Sequence, residues 1–383
     1  MAPVLISNGA EQTIQYQLSD DFVVTAEHDG IVREIDEEAG VIVIEYTGKD
    51  VKPGKNIKAI NIGKTIDKNG AGGFFISNQL TYNLKVNSKF KKDDILAYDP
   101  KFFQDTMTGN KYAIGTLTKV ACMSDFSTFE DSCPITHKLS TEMATEICME
   151  IPAVLGRNAT VDKMVKVGDE VKVGDPLITF EESFEEESLN KLLGNIGEEL
   201  KEEIRDFGKK PIKTKYSGVI EDIQIYSGSD LEDLSPSLQK IVKNYWNMVD
   251  KKKKLLKKYD KSDSIYKCGM LLNQPSHKME TKDGKIKGNR VDDGVLIIFY
   301  IKCKNYVNIG DKVTFFTALK STVGQVIPEG YEPYTLDRPD EEISSFIAPA
   351  AVLARMTPSI LISMLGNKCL VELKNKLRDI YES

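Results

Sequence analysis

A continuous uncharged run from Gly294 to Ile301 constrains the fold more than any other stretch of this chain. Its residues, GVLIIFYI, are rich in β-branched and aromatic side chains. The run is too short to span a bilayer, which takes about 20 residues, whereas a strand that is buried on both faces has this composition. The sequence therefore predicts a β-strand of the barrel-core type here.

Further short strands are predicted before this run, because β-branched residues recur there between turn signals. These strands are predicted at residues 22–25, 30–35, 40–46 and 115–123, and residues 82–99 predict a strand, a turn and a second strand. Residues 216–226 alternate with period two and predict a strand hairpin. In contrast, Glu181–Phe207 is acidic with apolar residues at helical spacing, and its two glycines, Gly194 and Gly197, predict a broken helix.

A longer helix is predicted to begin after Ser235, a residue type that caps helices, with Pro236 in its first turn. Apolar residues repeat on one face of this helix, and six lysines lie between Lys251 and Lys258 at its C-terminal end. Lysines at that end complement the helix dipole. The lysine run fits either a solvated helix end or a contact with nucleic acid or a partner protein.

Composition excludes several classes of protein. The 383 residues are 41% hydrophobic, which is enough for two or three domains with real cores. A net charge of −7 argues against a protein that binds nucleic acid over its whole surface, so any such contact must be a local patch. The six cysteines lack C-x-x-C spacing, which argues against a structural zinc site. Without a signal-peptide pattern or a long apolar run, we expect a soluble cytosolic chain with reduced thiols.

Five charged residues are candidates for a functional site. Lys312 and Lys320 flank a neutral, aromatic segment, and ammonium groups on a rigid element suit phosphate oxygens. Glu130 and Asp131 are adjacent and precede a predicted strand, so we expect only one of them to face a site. Arg355 precedes a predicted helix start, where a fork-shaped cation suits phosphates. The residues alone also fit solvated lysines, an acidic turn and a structural arginine that bonds carbonyl groups.

Together these segments resemble the C-terminal part of the β subunit of multisubunit DNA-directed RNA polymerases. The resemblance rests on three motifs, namely Gly310-Asp311-Lys312 with Lys320, Phe129-Glu130-Asp131 after an apolar strand, and the proline-containing segment that ends in Arg355-Met356. It implies that Lys312 and Lys320 act in catalysis by contacting the RNA 3′ end and the incoming nucleotide. It also implies that Arg355 reaches the nucleotide phosphates.

The same resemblance implies that Glu130 and Asp131 lie close to the substrate and, through water, to a second Mg²⁺ ion. Neither is expected to bind the metal directly. The chain contains no Asp-x-Asp-x-Asp run. In the family that run holds the catalytic Mg²⁺ and lies on the β′ subunit, so the cofactor is expected to be held mainly by a partner β′-type chain.

The fold implied by the resemblance is mainly β with some α. Two separated segments are expected to form a double-psi β-barrel, interrupted by a β-rich flap or wall insertion with a helical excursion. The predicted domains are the N-terminal β segments with the first barrel half (1–140), the flap or wall insertion (141–293), the second barrel half with the lysine pair and the arginine segment (294–366), and a C-terminal helix (367–383). A helix that begins at Pro358 is predicted to stop at Gly366.

The implied function is a part of the catalytic core of an RNA polymerase, a nucleotidyltransferase that is inactive without its partner subunits. The expected partners are an N-terminal β fragment, β′-type chains, a promoter-specificity factor, the DNA template, the RNA transcript and NTPs, with no membrane. The chain resembles one piece of a split β subunit, as encoded by large bacteriophages, and is expected in the cytoplasm of the infected bacterial host. The alternative is a non-catalytic barrel-type protein that acts as a decoy or inhibitor of a host RNA polymerase.

Overall fold

The chain divides into two compact units, each built mainly from strands. The computed structural model describes residues 9–10, 13–48, 51, 56–68, 74–106, 109–113, 115–182, 209–259, 274–280, 283–291, 293–316, 319–336 and 338–382. The first unit comprises Met1–Val23, Tyr98–Thr145 and Asn305–Ser383, and the second comprises Val24–Ala97 and Glu146–Lys304. Within these described ranges, no helix is long and apolar enough to cross a membrane.

The first unit is organised around a five-stranded sheet. Its strands, in spatial order, are Val120–Cys122, Ser345–Ile347, Ser132–Thr136, Leu319–Ile327 and Lys312–Phe315. The first pair of neighbours is parallel, and so is the pairing of Ser132–Thr136 with Leu319–Ile327. Parallel strands require a long crossover between them, and here the crossovers contain residues 146–304. The sheet thus combines segments from both sides of residues 146–304.

Short hairpins and helices complete the first unit. The hairpins pair Phe103–Thr106 with Gly109–Tyr112 and Tyr334–Thr335 with Arg338–Glu342. The helical segments are Ile14–Tyr16, His137–Glu142, Pro349–Ala354 and Pro358–Glu382. The last helix contradicts the predicted stop at Gly366 and the separate helix at 367–383. Gly366 does not adopt a positive φ, and helix formers on both sides offset its cost of about 1 kcal/mol.

The core of the first unit consists of two neighbouring buried clusters. Cys133, Ile135, Leu139, Val313 and Val323 form one buried cluster, and burial raises the pKa of the Cys133 thiol to about 11. A neighbouring cluster joins the sheet to the last two helices through Leu319, Ile347, Val352 and Ile360. These contacts fix the sheet against the segment that carries Arg355.

The second unit contains a six-stranded sheet with the uncharged run near its middle. The strands, in spatial order, are Glu170–Val171, Gly218–Ser227, Gly294–Asn305, Thr145–Gly156, Phe75–Asn78 and Thr65–Lys68. The predicted hairpin at 216–226 is therefore a single strand, which pairs with Gly294–Asn305. A four-stranded sheet contains, in spatial order, Ile57–Asn61, Val41–Tyr46, Gly30–Asp36 and Lys89–Phe90. A three-stranded sheet contains Ala159–Met164, Pro176–Glu182 and Lys209–Lys213. The shorter pairs are Val23–Thr25 with Ile95–Tyr98, and Lys285–Ile286 with Asn289–Arg290.

The position of the Gly294–Asn305 strand corrects the sequence prediction. Its first eight residues are buried, as predicted for a central strand. However, it lies in the second unit and not with the lysine pair, so the predicted barrel half 294–366 loses its first strand. A Cβ at Gly294 would overlap the carbonyl oxygen of Leu155, which shows how closely this strand packs on its neighbour. Such long-range pairing leaves no local signal in the sequence.

The predicted helix is present in the second unit as Pro236–Leu256, between the short helical turns Leu231–Asp233 and Lys257–Tyr259. The Ser235 hydroxyl accepts a hydrogen bond from the Leu238 amide, and the predicted apolar face is buried. Part of the lysine run binds within the unit, since Lys251 pairs with Glu38 at 2.5 Å. Lys253 donates to the carbonyl of Gln274. The predicted acidic helix at 181–207 lies outside the described residues, apart from its first two, which end a strand.

Candidate functional site

The two candidate lysines lie side by side on a hairpin. The strands Lys312–Phe315 and Leu319–Ile327, which we call the lysine hairpin, pair in antiparallel register. Lys312 faces Thr322 across the pair, and Lys320 faces Thr314. The lysines are therefore diagonal neighbours on one face, with Cα atoms about 7–8 Å apart. That face is exposed, whereas Val313 and Ser321 on the other face are buried.

A tight turn fixes the point at which the lysine hairpin begins. Gly310 has a φ of 93°, which favours glycine, and its amide donates to the carbonyl of Val323 at 2.8 Å. The Asp311 carboxylate accepts from the amide of Asn308 at 2.9 Å, and the amide of Val323 donates to the carbonyl of Asp311 at 2.8 Å. Gly310-Asp311 thus sets the register that places Lys312 on the exposed face.

The acidic pair lies at the start of the strand Ser132–Thr136. The amide of Thr322 donates to the carbonyl of Asp131 at 2.9 Å, so this residue is joined directly to the lysine hairpin. Glu130 has a φ of 50°, a left-handed conformation that is uncommon outside glycine. The left-handed residue breaks the strand geometry immediately before Asp131. Among the described residues, the Glu130 carboxylate has no partner, whereas that of Asp131 does.

Arg355 connects the acidic pair to the lysine hairpin. It lies between the helices Pro349–Ala354 and Pro358–Glu382. Its Nη2 is 2.5 Å from Oδ2 of Asp131, and its Nη1 donates to the carbonyl of Lys320 at 3.4 Å. The Arg355 side chain is 34% exposed, so part of its guanidinium is accessible from solution. The hydrogen bond to the Lys320 carbonyl is the kind expected of an arginine with a purely structural role. The hydrogen bond to Asp131 instead joins Arg355 to another predicted site residue.

The five predicted residues therefore occupy one region of the first unit. Lys312, Lys320 and Arg355 supply three cations, and Glu130 and Asp131 supply two carboxylates. Exposure of the two lysines and of part of Arg355 leaves their N–H groups accessible to an anion from solution. Such a group of cations suits a polyanion such as a triphosphate or a nucleic-acid backbone.

The carboxylates of this region do not form a metal site by themselves. No group of three or more potential metal ligands occurs in the part of the chain that the structure describes. One oxygen of Asp131 accepts from the Arg355 guanidinium. A Mg²⁺ ion, which prefers about six oxygen ligands, would need most of its ligands from water, substrate or another chain.

Sequence reasoning missed two features beside the site. Phe126 and Phe129 are 84% and 77% exposed in the loop that precedes Glu130, and Met356 next to Arg355 is 86% exposed. Aromatic residues within a polar loop are the sequence signal that could have identified the two phenylalanines as surface residues. A second missed feature is Gly324, where a Cβ would overlap the Ser132 hydroxyl, so the two central strands approach closely beside Asp131.

Comparison with known proteins places these residues in a family. The model of the family RNA polymerase Rpb2, domain 6, matches residues 104–380, which include all five site residues. The chain is also 26% identical, over 262 residues, to the DNA-directed RNA polymerase subunit beta of Pediococcus pentosaceus. That match covers 60% of this chain and 20% of the relative, so the chain spans about a fifth of the relative's length. Because the family model covers well over half of the sequence, the chain belongs to the RNA polymerase Rpb2 domain 6 family.

Proposed function

We propose that this chain is part of the catalytic core of a multisubunit DNA-directed RNA polymerase. In this role Lys312 and Lys320 hold the RNA 3′ end and the phosphates of the incoming NTP. The observation that carries the proposal is the placement of both lysines on one exposed face, with Arg355 bonded to the carbonyl of Lys320. The match to the RNA polymerase Rpb2 domain 6 family and the similarity to a bacterial polymerase subunit beta support the general role.

The chemistry of nucleotidyl transfer fits these side chains. Phosphoryl transfer depends mostly on positioning and on neutralising charge at the phosphate oxygens. A lysine ammonium acts as a compact point charge with three donors, and a guanidinium can hold two oxygens at once. Two lysines whose Cα atoms are about 7–8 Å apart can contact different phosphates of one substrate or the phosphates of two adjacent substrates. When bound, Mg²⁺ would supply further charge neutralisation, and the Glu130 carboxylate, which has no partner among the described residues, would be free to approach it through water.

The five-stranded sheet is the element on which this site is built. We infer that it forms part of a double-psi β-barrel, because parallel strands from two separated segments alternate in it. A closed barrel has no free sheet edges and holds its side chains rigidly. That the chain is one piece of a split β subunit of bacteriophage type stays a prediction, as do its partner chains.

Co-purification of the tagged full-length chain tests the proposed function. The expected result is recovery of chains that carry the Asp-x-Asp-x-Asp motif, in a complex that extends an RNA primer on a DNA template. The isolated chain should show no extension and only weak, salt-sensitive binding to nucleic acid, given its negative net charge. Primer extension by the isolated chain would contradict the proposal. Recovery of host polymerase subunits in an inhibited complex would instead establish the decoy alternative.

A further inference from the structure

We propose that residues 328–342, which we call the acidic hairpin, form a docking surface for an arginine- or lysine-rich segment of a partner polymerase chain. The acidic hairpin contains the paired strands Tyr334–Thr335 and Arg338–Glu342 of the first unit. The inference rests on the proposed function, because assembly with other polymerase chains supplies the partner. It adds the place of contact on this chain and the chemistry of the segment that binds there.

Three large apolar side chains of the acidic hairpin are exposed. Tyr331, Tyr334 and Leu336 are 79%, 57% and 91% exposed, and they lie within six consecutive residues. Apolar side chains that are grouped on a surface in this way mark interaction sites. Tyrosine is a frequent anchor of protein interfaces, because its ring packs against a partner while its hydroxyl keeps a hydrogen bond. These side chains are therefore available to a partner chain.

Contacts at its base hold the acidic hairpin on the first unit. Nη2 of Arg338 is 2.5 Å from Oε2 of Glu372 on the last helix, and Nη1 of Arg338 is 3.2 Å from Oε1 of Glu341. Glu341 also pairs with Lys119. A two-stranded hairpin is marginally stable by itself, so these contacts keep the exposed tyrosines in a defined place.

The charge of the acidic hairpin selects the chemistry of the occupant. Its sequence contains six acidic residues and a single basic one, Arg338, which is engaged at the base. The Glu329 side chain is 80% exposed and lies 3.1 Å from Nδ1 of His137. Glu332 uses one carboxylate oxygen to accept from the amide of Gly330 at 2.7 Å. Such a negative surface repels the phosphates of RNA and DNA and attracts cations, so the favoured occupant is a basic protein segment.

Aromatic rings beside carboxylates suit arginine and lysine in particular. Glu329 and Glu332 lie on either side of Tyr331 in the sequence. A cation that lies over a tyrosine ring is attracted by its π electrons, and a neighbouring carboxylate can pair with the same cation. Docking by strand addition is disfavoured, because Pro339 within the strand Arg338–Glu342 has no N–H to donate. The partner segment is therefore recognised through side chains.

Photo-cross-linking in the assembled complex, recovered with the tagged full-length chain, tests this docking surface. Tyr334→p-benzoylphenylalanine places a photoreactive ketone among the exposed side chains. On irradiation its carbonyl carbon bonds to a nearby carbon, and the hydrogen from that carbon moves to the ketone oxygen. Mass spectrometry should find the link on a partner-chain segment in which arginine or lysine residues adjoin the linked position.

Two variants and their matched controls test the chemistry of the contact. Glu329→Lys combined with Glu332→Lys should lower the yield of this link about fivefold or more, because like charges then face each other. Glu142→Lys, at an exposed glutamate of the same unit, should leave the yield unchanged. Tyr331→Ala should lower the yield about tenfold, whereas Tyr16→Ala, at a tyrosine of the first unit that is 47% exposed, should not.

Primer extension by the same complex separates failure of the docking surface from failure of the proposed function. A link to RNA or DNA, a link to a segment without basic residues, or the absence of a link in a complex that extends primers would overturn the docking surface alone. An unchanged yield after charge reversal would also overturn it. If the complex extends no primer, yet the link lies on a basic segment and is lost on charge reversal, the docking surface stands and the proposed function is wrong.

Discussion

Removal of either ammonium group from the lysine hairpin should slow RNA synthesis while leaving the fold intact. Lys312 and Lys320 lie on the exposed face and contribute no buried apolar surface to the core. Two ammonium groups on one exposed face repel each other in water by no more than about 1 kcal/mol, so either alanine variant should fold at least as well as the parent. The loss therefore falls on the bound state, where a charge-assisted contact to phosphate contributes about 1.5–3 kcal/mol. That energy corresponds to a decrease of about one to two decades in elongation rate.

The assay is single-round elongation by the assembled complex at limiting nucleotide, with assembly checked for each variant. Lys138→Ala, an exposed lysine on the helix His137–Glu142, is the matched control and should elongate at the parental rate. The double variant should lose less than the sum of the single losses, because neighbouring charges share one bound phosphate chain. Arginine at either position should restore only part of the rate, since a planar fork does not replace a point charge. Normal assembly and a parental rate in either alanine variant would refute the reasoning for that lysine.

Two further predictions concern the fold. Gly294→Ala should lower the free energy of unfolding by about 2–5 kcal/mol, because the new Cβ would overlap the Leu155 carbonyl oxygen at a backbone φ of 148°. The control is Gly168→Ala, at a position with a positive φ but open space around the Cβ, and it should lose clearly less stability in urea titrations. Equal losses in the two variants would contradict the packing argument. Burial raises the pKa of Asp99, so its ionisation opposes folding. The parent should therefore lose stability relative to Asp99→Asn as the pH rises above about 4, and parallel pH profiles would contradict this.

Local rules were sufficient for several elements of this chain. The helix Pro236–Leu256 follows from a capping serine, a first-turn proline and an apolar face, all of which lie within one short segment. The hairpin of Gly30–Asp36 and Val41–Tyr46 likewise follows from alternating residues around a glycine-containing turn. For these elements the signal and the structure occupy the same stretch of sequence.

Such local rules do not predict which distant segments of the chain pair with each other. The uncharged run Gly294–Ile301 was recognised as a strand, but its burial on both faces is satisfied equally well by a barrel or by the six-stranded sheet in which it lies. Similarly, the motifs named all five site residues, but the contact between Arg355 and Asp131 joins residues 224 positions apart. The left-handed conformation of Glu130 also has no signature in the sequence.

The most direct test of the central claim is to map which lysine the RNA 3′ end reaches in the assembled complex on a DNA template. An RNA primer whose terminal ribose is oxidised to a dialdehyde forms an imine with a nearby lysine amine, with loss of water, and borohydride reduction makes the link permanent. If Lys312 and Lys320 contact the RNA 3′ end, mass spectrometry of the labelled chain will find the link on one of these two lysines. Labelling confined to the lysine run at residues 251–258, or absent from the lysine hairpin in a complex that elongates the unmodified primer, would contradict the proposed role.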